Sequence, residues 1–218
     1  MHPTCLLIDH DDTLVSTFEL RAKVVAGAIT KVFGQTVDGE AYMRSTHGKS
    51  LALMGQDFSD DPARVQAFID TYRESYYREN KLGGVNVLPG IAETLAELHA
   101  AGIEIAVVTS KLGQGASDEL EACGLRHFVL GVVGSEHVTH PKPNPEPLEK
   151  GFAYLSGDDI SAALMVGDTT ADIMGARAAG AVAGAALWGT SDAQSLLASK
   201  PDLVLETPAQ ICAALGLR

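Results

Sequence analysis

Apolar residues recur along the chain in two rhythms. Residues 4–9, TCLLID, form a short apolar run that ends on an acid. An unbroken run of this kind predicts a strand covered on both faces, as in a parallel sheet. From Phe18 the rhythm turns helical. Val25, Ala28, Ile29 and Val32 recur at steps of three and four and predict a helix over 18–33. Val65, Phe68, Ile69, Tyr72 and Tyr76 mark another over about 61–80, with Pro62 suited to its first turn. Residues 38–44 and 49–55 read as shorter helices. After Leu88-Pro89-Gly90 the pattern alternates. Strands are expected at 103–109, 127–134, 162–168, 181–187 and 203–205, with helices at 91–101, 116–122, 146–155, 171–179, 192–198 and 208–215. Strands alternating with helices predict βα units and a mostly parallel sheet.

Composition divides the same chain. Residues 17–83 hold nine basic and nine acidic residues and eight of the twelve aromatics. The remainder therefore carries the whole formal charge of -12, from 16 Lys and Arg against 28 Asp and Glu. This shift predicts a core formed by 1–16 and 84–218, interrupted by a mostly helical insert at 17–83. The acidic balance argues against nucleic acid or an anionic membrane as partner. The longest apolar stretch, 178–189, falls well short of the roughly 18 residues that span a bilayer. The start, MHPTCLLIDHDD, lacks a basic region and meets Asp9 too early for a secretory signal. Cys5, Cys123 and Cys212 have neither metal spacing nor an even count, so a reduced, cytoplasmic protein is the expectation.

The chemistry gathers where strands end. The first strand runs into Asp9-His10-Asp11-Asp12-Thr13, the second into Thr109-Ser110-Lys111, and a later one into Gly167-Asp168-Thr169-Thr170-Ala171-Asp172. A loop, His140-Pro141-Lys142-Pro143-Asn144-Pro145, lies between the last two. Ligands of open α/β sheets sit beyond the carboxyl ends of the strands, so these four segments are expected to converge. Asp9, Asp11, Asp168 and Asp172 would then repel one another unless a cation intervenes. Oxygen-only ligands favour Mg²⁺. Thr109 adds a hydroxyl and Lys142 an ammonium, which together describe a cradle for a phosphoryl group.

DHDDT at 9–13, VVTS at 107–110, Lys142 and GDTTAD at 167–172 stand in the order of the haloacid dehalogenase superfamily pattern, DxDxT, Thr/Ser, Lys, GDxxxD. The chain resembles a hydrolase of that superfamily over essentially its whole length. The resemblance implies a Rossmann-like core with helices on both faces and a helical cap of the first cap class at 17–83. It implies Asp9 as nucleophile and Asp11 as proton donor and later base. It implies Asp9, Asp11 (through its backbone carbonyl), Asp168 and Asp172 around Mg²⁺, with Asp172 direct or through water. Thr109 and Lys142 would bind the transferring phosphoryl group. An acid two residues after the nucleophile favours phosphate chemistry over dehalogenation. Asp12 stands where related phosphatases commonly carry Gly, and Ser16 where an Asp is frequent.

Softer signals at 143–147, 188–189, 201–202 and in the Thr109-Ser110-Lys111 triplet resemble the phosphoglycolate phosphatase branch. Ser110 and Lys111 are candidate substrate contacts. Arg44, His47 and Lys49 form a candidate loop for reading the leaving group, suited to an anionic or polyhydroxylated compound. The expectation is an Mg²⁺-dependent phosphatase of a small phosphorylated metabolite, acting as monomer or homodimer. A β-phosphoglucomutase-like mutase and a non-enzymatic binding protein on the same fold are the rivals.

Overall fold

The computed structural model describes residues 2–46, 49–80, 84–190 and 192–217. The chain forms two compact units, one of residues 1–16 and 87–218 and one of 17–86. Strand β1 (Cys5–Ile8) and the short β2 (Val15–Ser16) precede helices α1 (Phe18–Phe33), α2 (Gly39–Thr46), α3 (Leu51–Gln56) and α4 (Pro62–Asn80). Strand β3 (Asn86–Val87) then opens a regular alternation of α5 (Ile91–Ala100), β4 (Glu104–Val108), α6 (Gly113–Ala122), β5 (Gly131–Val133), α7 (Glu146–Phe152) and β6 (Ala163–Gly167). Helix α8 (Thr170–Ala179), β7 (Val182–Ala186), α9 (Ala193–Ala198), β8 (Leu203–Leu205) and α10 (Gln210–Ala214) follow.

Six of the strands form one sheet in the order β5-β4-β1-β6-β7-β8, every neighbouring pair parallel. Leu6 faces Ile105 on one side and Leu164 on the other, which fixes β1 at the centre. All four residues of β1 are buried, so its apolar run does not alternate. Leu7, Val108, Met165, Leu148 and Ile173 belong to one core cluster. Fully burying a side chain of that size contributes roughly 1.5–3 kcal/mol. The sheet grows from β1 to β4 and β5 on one side, then resumes at β6 on the other. That reversal makes the carboxyl end of β1 the switch point where an open α/β sheet binds its ligands.

The smaller unit has its own core. Val25, Ala28, Ile29, Met54 and Phe68 are its buried centre. Phe33 stacks on Phe58 with ring centroids 5.4 Å apart. The concentration of aromatics in 17–83 is thus a packing feature.

Two of the differences from the sequence expectation have a visible cause. The strand expected over 127–134 is confined to Gly131–Val133, preceded by a 3₁₀ turn at Arg126–Phe128. The Arg126 guanidinium donates to the Val129 carbonyl at 2.6 Å and to Ser117 at 3.2 Å, which holds that segment as a turn. Helix α6 begins at Gly113, three residues earlier than expected, because Glu136 accepts the Gly113 amide at 2.9 Å and caps it from outside.

Candidate active site

The carboxyl ends of β1, β4 and β6 bring three acids and one lysine to a single point. Asp9 follows β1 directly, and its amide donates to the Val166 carbonyl at 2.9 Å. That bond carries the β1–β6 pairing one residue past the strand and fixes the direction of the side chain. Lys142 enters from the loop before α7. Its ammonium donates to Asp9 Oδ1 at 2.8 Å, to Asp172 Oδ1 at 2.5 Å and to the Val108 carbonyl at 3.0 Å. Three acceptors match the three protons of an ammonium, and the side chain is only 4 % exposed.

Asp172 is the third residue of α8, and its second oxygen accepts from the Thr169 amide at 3.1 Å and the Thr169 hydroxyl at 2.6 Å. This is a capping box that satisfies the start of the helix. Asp168 lies just before the helix and Asp172 in its first turn. Cap geometry brings them together. Gly167 permits it, since a Cβ there would fall 2.3 Å from the Asp172 carboxyl carbon. The Asp168 carboxylate accepts the Thr13 hydroxyl at 3.1 Å, tying the first motif to the last.

Electrostatics at this point are unbalanced. The Asp9 carboxyl is raised to about 6, chiefly by burial, with Lys142 pulling against it and the Asp172 and Asp11 charges adding to the rise. Burial works against the Lys142 charge, yet Asp172 and Asp9 outweigh it and hold the ammonium well above the usual lysine range. Ligand oxygens of Asp9, Asp168 and Asp172 all lie within 4.8 Å of one another, and all three residues are buried. Three carboxylates against one ammonium leave an excess of buried negative charge. An oxygen-only donor set of this kind fits a hard divalent cation.

A second acidic group does not. His10, Asp11 and Glu119 also lie within 4.8 Å of one another, but the Lys111 ammonium already joins them. It sits 2.9 Å from Asp11 Oδ1 and 2.7 Å from Glu119 Oε2. Asp11 thus turns its carboxylate toward Lys111, consistent with an offer of only its backbone carbonyl to a metal.

The other candidates are distributed as follows. Thr109 is buried, continues β4 through a 2.9 Å bond to the Val133 carbonyl and accepts the Lys111 amide on its hydroxyl at 3.1 Å. Ser110 is exposed beside it. Arg44 and Lys49 belong to the smaller unit, Arg44 paired with Glu40 at 3.0 Å and Lys49 with Asp57 at 2.8 Å. His47 lies outside the described residues. Glu119, absent from the sequence reading, is a buried acid of α6. A signal existed: Ala116, Leu120 and Cys123 mark the apolar face of that helix, and Glu119 shares it at a step of three.

Asp12, in place of the common Gly, has φ +58°. The position demands the left-handed region, which glycine enters freely and aspartate tolerates better than most residues. Gly189 approaches this loop so closely that a Cβ would lie 1.6 Å from the Asp12 carbonyl oxygen.

Among the described residues, no helix is long and apolar enough to cross a membrane. The chain is 34% identical over 220 residues to pyrophosphatase PpaX of Halalkalibacterium halodurans, with 94% of this chain and 96% of that protein covered. It is 33% identical over 223 residues to the "probable phosphatase" IndB of Dickeya dadantii, covering 96% and 92% of the two chains. Its fold matches a predicted phosphoglycolate phosphatase from Haemophilus somnus with TM-score 0.84 at 23% identity, covering 98% of each chain. It also matches CbbY of Rhodobacter sphaeroides, crystallised with xylulose 1,5-bisphosphate, with TM-score 0.81 at 20% identity over 98% and 99% of the chains. The family model of haloacid dehalogenase-like hydrolases matches residues 6–186, and the chain belongs to that family.

Proposed function

We propose that this chain is an Mg²⁺-dependent phosphatase that hydrolyses a small phosphorylated metabolite through a phosphoryl group carried on Asp9. The observation that supports it most is the Lys142 ammonium clamped between Asp9 and Asp172 with Asp168 beside them. Asp9 and Asp168 through their carboxylates, Asp11 through its backbone carbonyl and Asp172 directly or through water would hold Mg²⁺, which would supply positive charge against the phosphoryl oxygens.

The protein's own groups do the rest. Lys142 holds Oδ1 of Asp9, so Oδ2 is the atom that attacks phosphorus. The bond from phosphorus to the leaving oxygen breaks, and Asp11 gives that oxygen its proton. Water then attacks the phosphorus on Asp9, Asp11 takes back a proton, and inorganic phosphate leaves with the Asp9 carboxylate restored. Thr109 and Lys142 offer a hydroxyl and an ammonium to the phosphoryl oxygens.

Two substrates come first in any trial. The pyrophosphatase relatives favour inorganic pyrophosphate, and the fold neighbours together with the sequence signals at 143–147 and 188–189 favour phosphoglycolate. The test is phosphate release from p-nitrophenyl phosphate and a panel of phosphorylated metabolites with Mg²⁺, for the wild type and Asp9→Asn. The expected result is turnover by the wild type and none above background by the variant. Retained turnover in Asp9→Asn overturns the reading. Isomer formation from a hexose 1-phosphate without phosphate release favours the mutase instead.

A further inference from the structure

The proposed chemistry needs Asp11 held at one place. The Lys111 ammonium makes an ion-pair contact with Asp11 Oδ1 at 2.9 Å, without hydrogen-bond alignment. Lys111 is itself gripped by both oxygens of Glu119, at 2.8 and 2.7 Å. Glu119 is 3 % exposed and is fixed from its other side by His10, whose Nε2 lies 2.6 Å from Oε2. The His10 Nδ1 has no hydrogen-bond partner among the described residues. A neutral imidazole carries one N–H, and placing it on Nε2 gives Glu119 a donor and leaves a lone pair, the cheaper group to bury, on Nδ1. His10, Glu119, Lys111 and Asp11 therefore form one chain of contacts from α6 to the loop after β1.

Resting on the phosphatase reading, we propose that Glu119 is a positioning residue for proton transfer. It anchors Lys111, which holds one oxygen of Asp11 and so sets the orientation of the carboxyl group that protonates the leaving oxygen. Lys111 then acts through Asp11 and does not bind the phosphoryl group. The bland alternative is a buried ion pair that merely tethers α6. Geometry separates them. A tether would need only Lys111 and Glu119, whereas here the same ammonium reaches the one carboxylate that the reaction requires to move a proton.

The leaving group provides the test. Protonation matters most when the departing oxygen is strongly basic and little when it is weakly basic. kcat/KM reports the step in which that oxygen leaves and excludes the later hydrolysis of the phosphoryl-Asp9 group. We would measure kcat/KM for a series of substituted phenyl phosphates of graded phenol acidity, on wild type, Glu119→Gln, Lys111→Met and Asp9→Asn. The two positioning variants should lose about tenfold or more with the least acidic phenol and under about threefold with p-nitrophenol, since a positioned acid contributes roughly a hundredfold or more in full. The dependence on leaving-group acidity therefore steepens. Equal loss across the series, or none, in variants with wild-type circular dichroism overturns the proposal. Lys111→Met changes the more exposed partner and keeps the test open should Glu119→Gln misfold. A wild type inactive on the whole series, or an Asp9→Asn that matches it, overturns the phosphatase reading and this proposal with it. An active wild type and a dead Asp9→Asn with parallel losses in the others overturn this proposal alone.

Discussion

The Thr13 hydroxyl donates to Asp168 Oδ1 at 3.1 Å, joining residues 155 positions apart in the chain. Both are buried, so this bond orients one candidate metal ligand from outside the metal cluster. Such supporting partners commonly govern metal affinity by 10–100-fold. Thr13→Val keeps the volume and removes the donor. The expected outcome is at least about a tenfold rise in the Mg²⁺ concentration that half-activates the enzyme, with a smaller change in maximal rate. A magnesium titration of activity checks it, and an unchanged midpoint refutes it.

Lys142 is the cation between Asp9 and Asp172. Lys142→Met leaves two buried carboxylates without it. Removing one partner of a buried pair costs about 3–5 kcal/mol. The variant should melt many degrees lower by calorimetry and show no phosphatase activity. Addition of Mg²⁺ should recover part of the lost stability, because the cation neutralises the same acids.

The left-handed backbone at Asp12 sorts substitutions by shape rather than polarity. Asp12→Gly should fold and remain active, since glycine enters φ +58° without strain. Asp12→Val puts a β-branched side chain there and should lose about 1–2 kcal/mol or more. Gly189→Ala should be worse than Asp12→Gly, because its Cβ would fall inside the Asp12 carbonyl oxygen. Urea denaturation of the three variants gives the order.

Glu146, at the start of α7, carries a pH signature of its own. The Thr139 amide, the Lys150 ammonium and the His140 amide hold its carboxyl down to about 2, against an ordinary 4.5. A depressed acid stabilises the fold above its unfolded pKa, and that contribution is lost as pH falls through the folded value. The melting-temperature gap between wild type and Glu146→Gln should thus be constant above about pH 5.5 and close progressively between about 4.5 and 2. A gap that widens on acidification contradicts the assignment.

The alternation of strands and helices was legible because period and burial leave a local mark. Cys5–Ile8 is apolar at every position since both faces of β1 are covered, and α1 shows its stripe since one face packs inward. The start of α6 was not legible, because its cap, Glu136, comes from beyond β5. Arg126 likewise turns a segment that reads as strand into a 3₁₀ turn through the Val129 carbonyl.

For the candidate site, short-range pattern was enough to put the acids and the hydroxyl at strand ends, Lys142 in a loop between them, and all of them in order. Their pairing emerges only in the folded chain: Lys142 with Asp9 and Asp172, Asp168 with Thr13, Asp11 with Lys111, and Lys111 with Glu119. Distance explains the difference. An ion pair is set by the last few ångströms between groups, and across 133 or 155 residues of chain that separation is fixed by strand order and helix packing, which no local stretch of sequence encodes.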